Sequence, residues 1–109
     1  MSTALPFNSL EQLWPELWAS LASVLRSYSA VYGLSGKRHA TIENGERVIL
    51  ARHGSRWLEL KRDGKAITWR RDDGNQGALE LTETGRIRSD SGEEEMDMAA
   101  EAWARVLMQ

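Results

Sequence analysis

The sequence predicts an α+β fold: a single antiparallel β-meander of five or six strands, with an N-terminal and a C-terminal helix packed on one face. Three observations predict it. At both ends of the 109-residue chain, apolar residues recur at spacings of three and four, the period of an amphipathic helix. Between them, short runs alternate apolar and polar residues in twos, the period of a half-buried strand. Asn44-Gly45, His53-Gly54 and Asp63-Gly64 separate those runs and are turn signals.

Residues 1–7 read as a flexible arm and residues 8–33 as the first helix. Asn8 or Ser9 is suited to cap it, with Glu11 or Gln12 three residues on to complete a capping box. Leu10, Leu13, Trp14, Leu17, Leu21, Val24, Leu25, Tyr28, Val31 and Tyr32 form the apolar stripe, and Ser20, Ser23, Ser27 and Ser29 the polar side. Pro15 lacks an N–H and crowds the preceding turn, which predicts a kink or a break near Trp14. Gly33 and Gly36 are expected to end the helix in the left-handed conformation.

Residues 38–89 read as the meander. Val48, Leu50, Leu58, Leu60, Ile67 and Trp69 are its large alternating apolar residues. A two-residue Asp63-Gly64 turn sets Leu60 opposite Ile67 and Leu58 opposite Trp69. A three-residue His53-Gly54-Ser55 loop sets Leu50 opposite Leu58 and Val48 opposite Leu60. All six then share one face, and burial of one face selects that register. A three-residue loop around Asn44-Gly45, with Gly45 left-handed, pairs Ala40 with Val48 and adds Ala40 and Ile42 to the same face. Leu79 and Leu81 lie on a further strand, and Arg86 and Arg88 flank Ile87 as on a charged edge strand.

Residues 91–108 read as the last helix, capped by Asp90 or Ser91. Glu93, Glu94, Glu95 and Asp97 then fall in or near its first turn, at the positive end of the helix dipole. Met96, Ala99, Ala100, Trp103, Val106 and Leu107 form its apolar face.

Length and composition narrow the function. With 109 residues, 41% hydrophobic and 28% charged, the chain suits one soluble globular domain. No apolar run approaches the roughly 20 residues that span a bilayer, and the N-terminus does not read as a secretory signal. The absence of cysteine excludes disulfides, thiol catalysis and Cys-ligated zinc and fits a reducing, cytoplasmic location. The net charge of −2 is unevenly spread: Lys37–Arg71 holds ten Lys or Arg against four acids, and Asp72–Glu101 ten acids against two Arg. Such an asymmetry either steers a charged partner or is neutralised within the fold or across a dimer.

No motif for catalysis stands out. His39 and His53 are the two histidines, and neither has a ligand-like neighbour at helical or hairpin spacing. Glu43 and Glu46 read as turn solubility, and Glu93–Asp97 lacks the spacing of a calcium loop. There is no nucleophile elbow and no phosphate loop. The expectation is a non-enzyme without metal or cofactor.

Trp57 carries the functional reading. In the selected register it points away from the core, near Ala51 and Arg70, with Arg52, Arg56 and Arg71 close by. The first reading is a non-catalytic protein-interaction module, a homodimer through the open sheet face, with Ile49, Ala51 and Trp57 at the centre and Arg52, Arg56 and Arg70 around them. The alternative is a nucleic-acid-binding face of Arg47, Arg52, Arg56, Trp57, Lys61 and Arg70. A third reading is a small hydrophobic ligand held between helices and sheet. The bland counterpart is that Arg70 simply covers the indole.

The helix–meander–helix order resembles the architecture of the frataxin family, in which an acidic ridge on the first helix carries iron. Here the first helix holds only Glu11 and Glu16, so the resemblance covers element order and does not extend to iron binding.

Overall fold

A computed structural model describes residues 6–33 and 40–109. Met1–Leu5, Gly36 and His39 lie outside the described residues. The elements run α1 (Pro6–Tyr32), β1 (Thr41–Asn44), β2 (Val48–His53), β3 (Arg56–Asp63), β4 (Ala66–Arg71), β5 (Gln76–Leu81), β6 (Arg86–Ser89), β7 (Gly92–Glu95) and α2 (Met96–Leu107). Every neighbouring strand pair is antiparallel, and the seven strands lie in chain order. The fold is therefore α+β with an open meander and both helices packed together against one face, with more strands than expected.

The added strand is β7. Gly92–Glu95 pairs with β6 instead of opening the last helix, which begins at Met96 rather than near residue 91. Two cross-strand pairs decide between the states: Arg86 faces Glu95 and Arg88 faces Glu93. Opposite charges directly across an antiparallel pair stabilise the ladder, and a helical start at residue 91 would give up both of these pairs. Only Asp97 remains in the first turn of α2, whose N-cap, Glu95, makes no side-chain capping bond. Ile87 thus lies on an inner strand, and the edge is β7.

α1 runs unbroken through Pro15, so of the two expected outcomes, a kink or a break, the break does not occur. It starts at Pro6, a position where the missing N–H is not needed, so neither Asn8 nor Ser9 is its cap. Gly33 follows the last helical residue without a left-handed φ. The buried side of α1 is Trp18, Leu21, Ala22, Leu25 and Ser29. Val31 and Tyr32, placed in the stripe by their spacing, are 59% and 39% exposed.

The core face of the sheet is Ile49 and Ala51 on β2, Leu58 and Leu60 on β3, Ile67 on β4, Leu81 on β5 and Ile87 on β6. Ala40, Ile42, Trp69 and Leu79 are partly buried against it. The expectations for Leu58, Leu60, Ile67, Trp69, Ala40 and Ile42 are met, but β2 is inverted. Ile49 and Ala51 are 0% exposed, whereas Val48 is 38% exposed. The cause is the β2–β3 turn. His53 pairs with Arg56, leaving Gly54 and Ser55 as the two loop residues. Gly54 has φ 64°, which a type II′ turn requires at its first central position. The β3–β4 turn uses Gly64-Lys65 in the same way, with Gly64 at φ 63°.

β1 also pairs differently from expectation. Ile42 lies opposite Ala51 and Asn44 opposite Ile49, and Gly45 is not left-handed. The Gly45 amide instead donates to the Val48 carbonyl at 2.8 Å.

The two helices are joined near the C-terminal end of α1. The Tyr32 hydroxyl donates to Glu101 of α2. That hydrogen bond holds the phenol neutral, so Tyr32 ionises above the usual tyrosine range. In an ultraviolet pH titration Glu101→Gln should return Tyr32 toward its ordinary value of about 10; an unchanged titration curve would show that the contact is not maintained in solution.

Candidate interaction surface

Strand alternation puts Thr41, Glu43, Val48, Leu50, Arg52, Trp57, Glu59, Lys61, Thr68 and Arg70 on the face away from the helices. Val48 lies opposite Lys61, Leu50 opposite Glu59 and Arg52 opposite Trp57. Val48, Leu50 and Trp57 therefore make an apolar strip over two adjacent strands, rimmed by charge.

The residues expected at this surface separate into three groups. Trp57, Arg70 and Arg52 are brought together: the Arg70 guanidinium lies 5.6 Å from the centroid of the Trp57 ring, and Arg52 is its direct cross-strand neighbour. Ile49 and Ala51 are in the core and contribute nothing to the open face. This corrects the expected apolar centre, and the one-residue change in β2 register is the reason. Leu50 and Val48 take their place. The alternation they carry was visible in the sequence, but the three-residue loop directed it inward.

Arg56 also leaves the set. It alternates with Trp57 and lies on the helix side, where it is 3.9 Å from Asp72 and donates to the Gln109 carbonyl at 3.5 Å. The Trp57 amide donates to Asp72 at 2.9 Å, so Asp72 fastens both neighbours at the start of β3.

The cations of the open face are largely neutralised in place. Glu59 accepts from Arg70 at 2.7 Å and lies 3.9 Å from Lys61. Farther along, Arg88 bridges Glu80 at 3.4 Å and Glu93 at 3.1 Å, and Arg86 lies 3.3 Å from Glu95. Among the described residues the basic and acidic parts of the chain meet at three pairs, Arg56–Asp72, Arg71–Asp73 and Lys65–Glu80. Pairs this exposed contribute little stability each, about 0–1 kcal/mol, but they quench the field of the face. Among the described residues Arg47, Arg52 and Glu43 form no ion pair.

His53 is half-buried at the end of β2, and no three His, Asp or Glu among the described residues are grouped to hold a metal ion. No described helix is long and apolar enough to cross a membrane. No protein-family model matches the chain, and no significant match is found among curated proteins or solved structures.

Proposed function

We propose that the protein is a small non-catalytic interaction module whose open sheet face binds a second copy of the chain. One observation carries this reading. Val48, Leu50 and the half-exposed Trp57 form an apolar strip on a face that neither helix covers, inside a rim of Glu59, Lys61, Arg52 and Arg70. An apolar centre with a polar rim is the anatomy of a protein interface. The choice of a second copy rests on charge. Glu43 and Arg52 flank Leu50 across and along the strands, and neither has an ion-pair partner among the described residues. In a two-fold dimer each meets the other's counterpart, which an isologous contact requires.

Binding of nucleic acid draws less support. Such binding is driven by uncompensated cations, and Arg56 is paired with Asp72 while Lys61 and Arg70 share Glu59.

Sedimentation velocity tests the proposal. The parent should show a concentration-dependent dimer, and Leu50→Glu and Trp57→Ala should be monomeric with unchanged circular dichroism. Loss of a central anchor worth about 2 kcal/mol raises the dissociation constant about 30-fold. Arg52→Glu should weaken the dimer, and adding Glu43→Arg should restore it. A parent that stays monomeric at high concentration, or a dimer unaffected by both Leu50→Glu and Trp57→Ala, overturns the reading.

A further inference from the structure

Of the seven strands, β1 and β7 are the outer two, so each turns one side of its backbone away from the sheet. We infer that the β1 edge is a latent pairing surface for a second copy of the chain, and that Arg26 of α1 holds it shut. This edge is distinct from the open face, and the inference does not depend on that face.

The register identifies the groups at that edge. The Gly45 amide donates to the Val48 carbonyl at 2.8 Å, so Gly45 and Val48 are the hydrogen-bonded pair that closes the β1–β2 turn. Bonded and non-bonded pairs alternate along an antiparallel ladder. Counting back from the turn, Asn44–Ile49 is non-bonded, Glu43–Leu50 bonded and Ile42–Ala51 non-bonded. The backbone groups of Ile42 and Asn44 therefore point away from β2. The Arg26 guanidinium sits on these two residues. One of its Nη atoms donates to the Ile42 carbonyl and to the Asn44 side-chain oxygen, each at 3.2 Å. It occupies a carbonyl that a further strand would need, and a charged side chain over an outer strand is a common guard against pairing.

The choice of a second copy follows from the same register. Two β1 strands related by a two-fold axis at Ile42 present their outward groups to each other, as an isologous contact requires. Ile42 then faces its own counterpart, Thr41 faces the counterpart of Glu43, and Asn44 that of Ala40. No charge meets a like charge in this pairing. Ile42, only partly buried against the core, gains an apolar contact on the helix side. β7 does not offer the same. Glu93, Glu94 and Glu95 fill three of its four positions, and two copies would set glutamates against each other. The surface of α1 beside β1 is low apart from the guard itself. Arg26 lies on a helical ridge with Ala19, Ser23 and Ala30, all exposed, and it is the one large side chain of the four.

Sedimentation velocity of Arg26→Ala tests the inference, with Leu50→Glu present in both the variant and its reference so that the open face does not contribute. Arg26 is exposed, and its truncation should leave the circular dichroism unchanged. Whatever the state of the reference, the Arg26→Ala chain should self-associate at least about tenfold more tightly. In hydrogen exchange the Ile42 amide should become slower as the concentration of the variant rises. Asn44→Pro, added to Arg26→Ala, should reverse the association. It removes an N–H that points away from β2, a position at which an outer strand tolerates proline. An Arg26→Ala chain that sediments like its reference, an association indifferent to Asn44→Pro, or one that appears only with loss of the sheet dichroism would each overturn the inference.

Discussion

Ile49→Ala should destabilise the fold by about 2–5 kcal/mol, the usual cost of emptying a buried aliphatic site. The neighbouring Leu50→Ala should cost under about 1 kcal/mol, and Val48→Ala about 0.5 kcal/mol or less. The contrast follows from β2 register alone: Ile49 is 0% exposed among Leu60 and its neighbours, while Val48 is 38% exposed on the open face. Urea unfolding midpoints at constant m-value measure it. If Leu50→Ala proved the costly substitution, β2 would be turned over, Ile49 and Ala51 would face outward, and the open-face strip would have to be redrawn around them.

That contrast also marks where reading from sequence fails. The fold class, six of the seven strands in outline and the core-facing set on β3 to β6 follow from period-two alternation. Turn placement does not follow so easily. At Asp63-Gly64 the expected loop is displaced by one residue, which moves partners by two and leaves every side chain on its expected face. At His53-Gly54 the difference is a loop of two residues against three, partners move by one, and β2 inverts. β2 is apolar at 48, 49, 50 and 51 in succession, so its own alternation does not settle the face. The II′ signature, Gly followed by a polar residue, was available at both Gly54-Ser55 and Gly64-Lys65. It would have settled the face.

The site was partly legible for the same reason. Trp57 and Arg70 share the open face as expected because β3 and β4 keep their expected parity; β2 does not, so Ile49 and Ala51 move to the core and Arg52 comes to the open face only through that inversion. Strand β7 is out of reach of local patterning. Its glutamate run reads locally as a helix start, and only pairing with β6 makes it a strand. Its visible signal was the alternation Arg86-Ile87-Arg88 against Glu93-Glu94-Glu95, in which each Arg can face a Glu only across a hairpin.

Trp18→Ala should be the most damaging single truncation in α1, at about 3–5 kcal/mol. The side chain is 2% exposed and is the largest in the core. Its indole Nε1 donates to the Gly45 carbonyl at 3.0 Å, and Arg62 lies 5.9 Å from the ring centroid. Trp18 thereby ties the middle of α1 to the β1–β2 turn and to the end of β3. The stripe drawn from spacing passed it over, although 18, 21, 22, 25 and 29 recur at three and four as well as the residues selected. Trp18→Phe separates packing from the polar contact. It keeps most of the apolar volume but leaves the Gly45 carbonyl without its donor, an expected loss of about 1–2 kcal/mol. Trp14, only partly buried against the core, sets the comparison: Trp14→Ala should cost clearly less than Trp18→Ala in thermal or urea unfolding. Equal losses at the two positions would mean that α1 is rotated about its axis, and the Trp18–Gly45 contact would not then anchor the helix to the sheet.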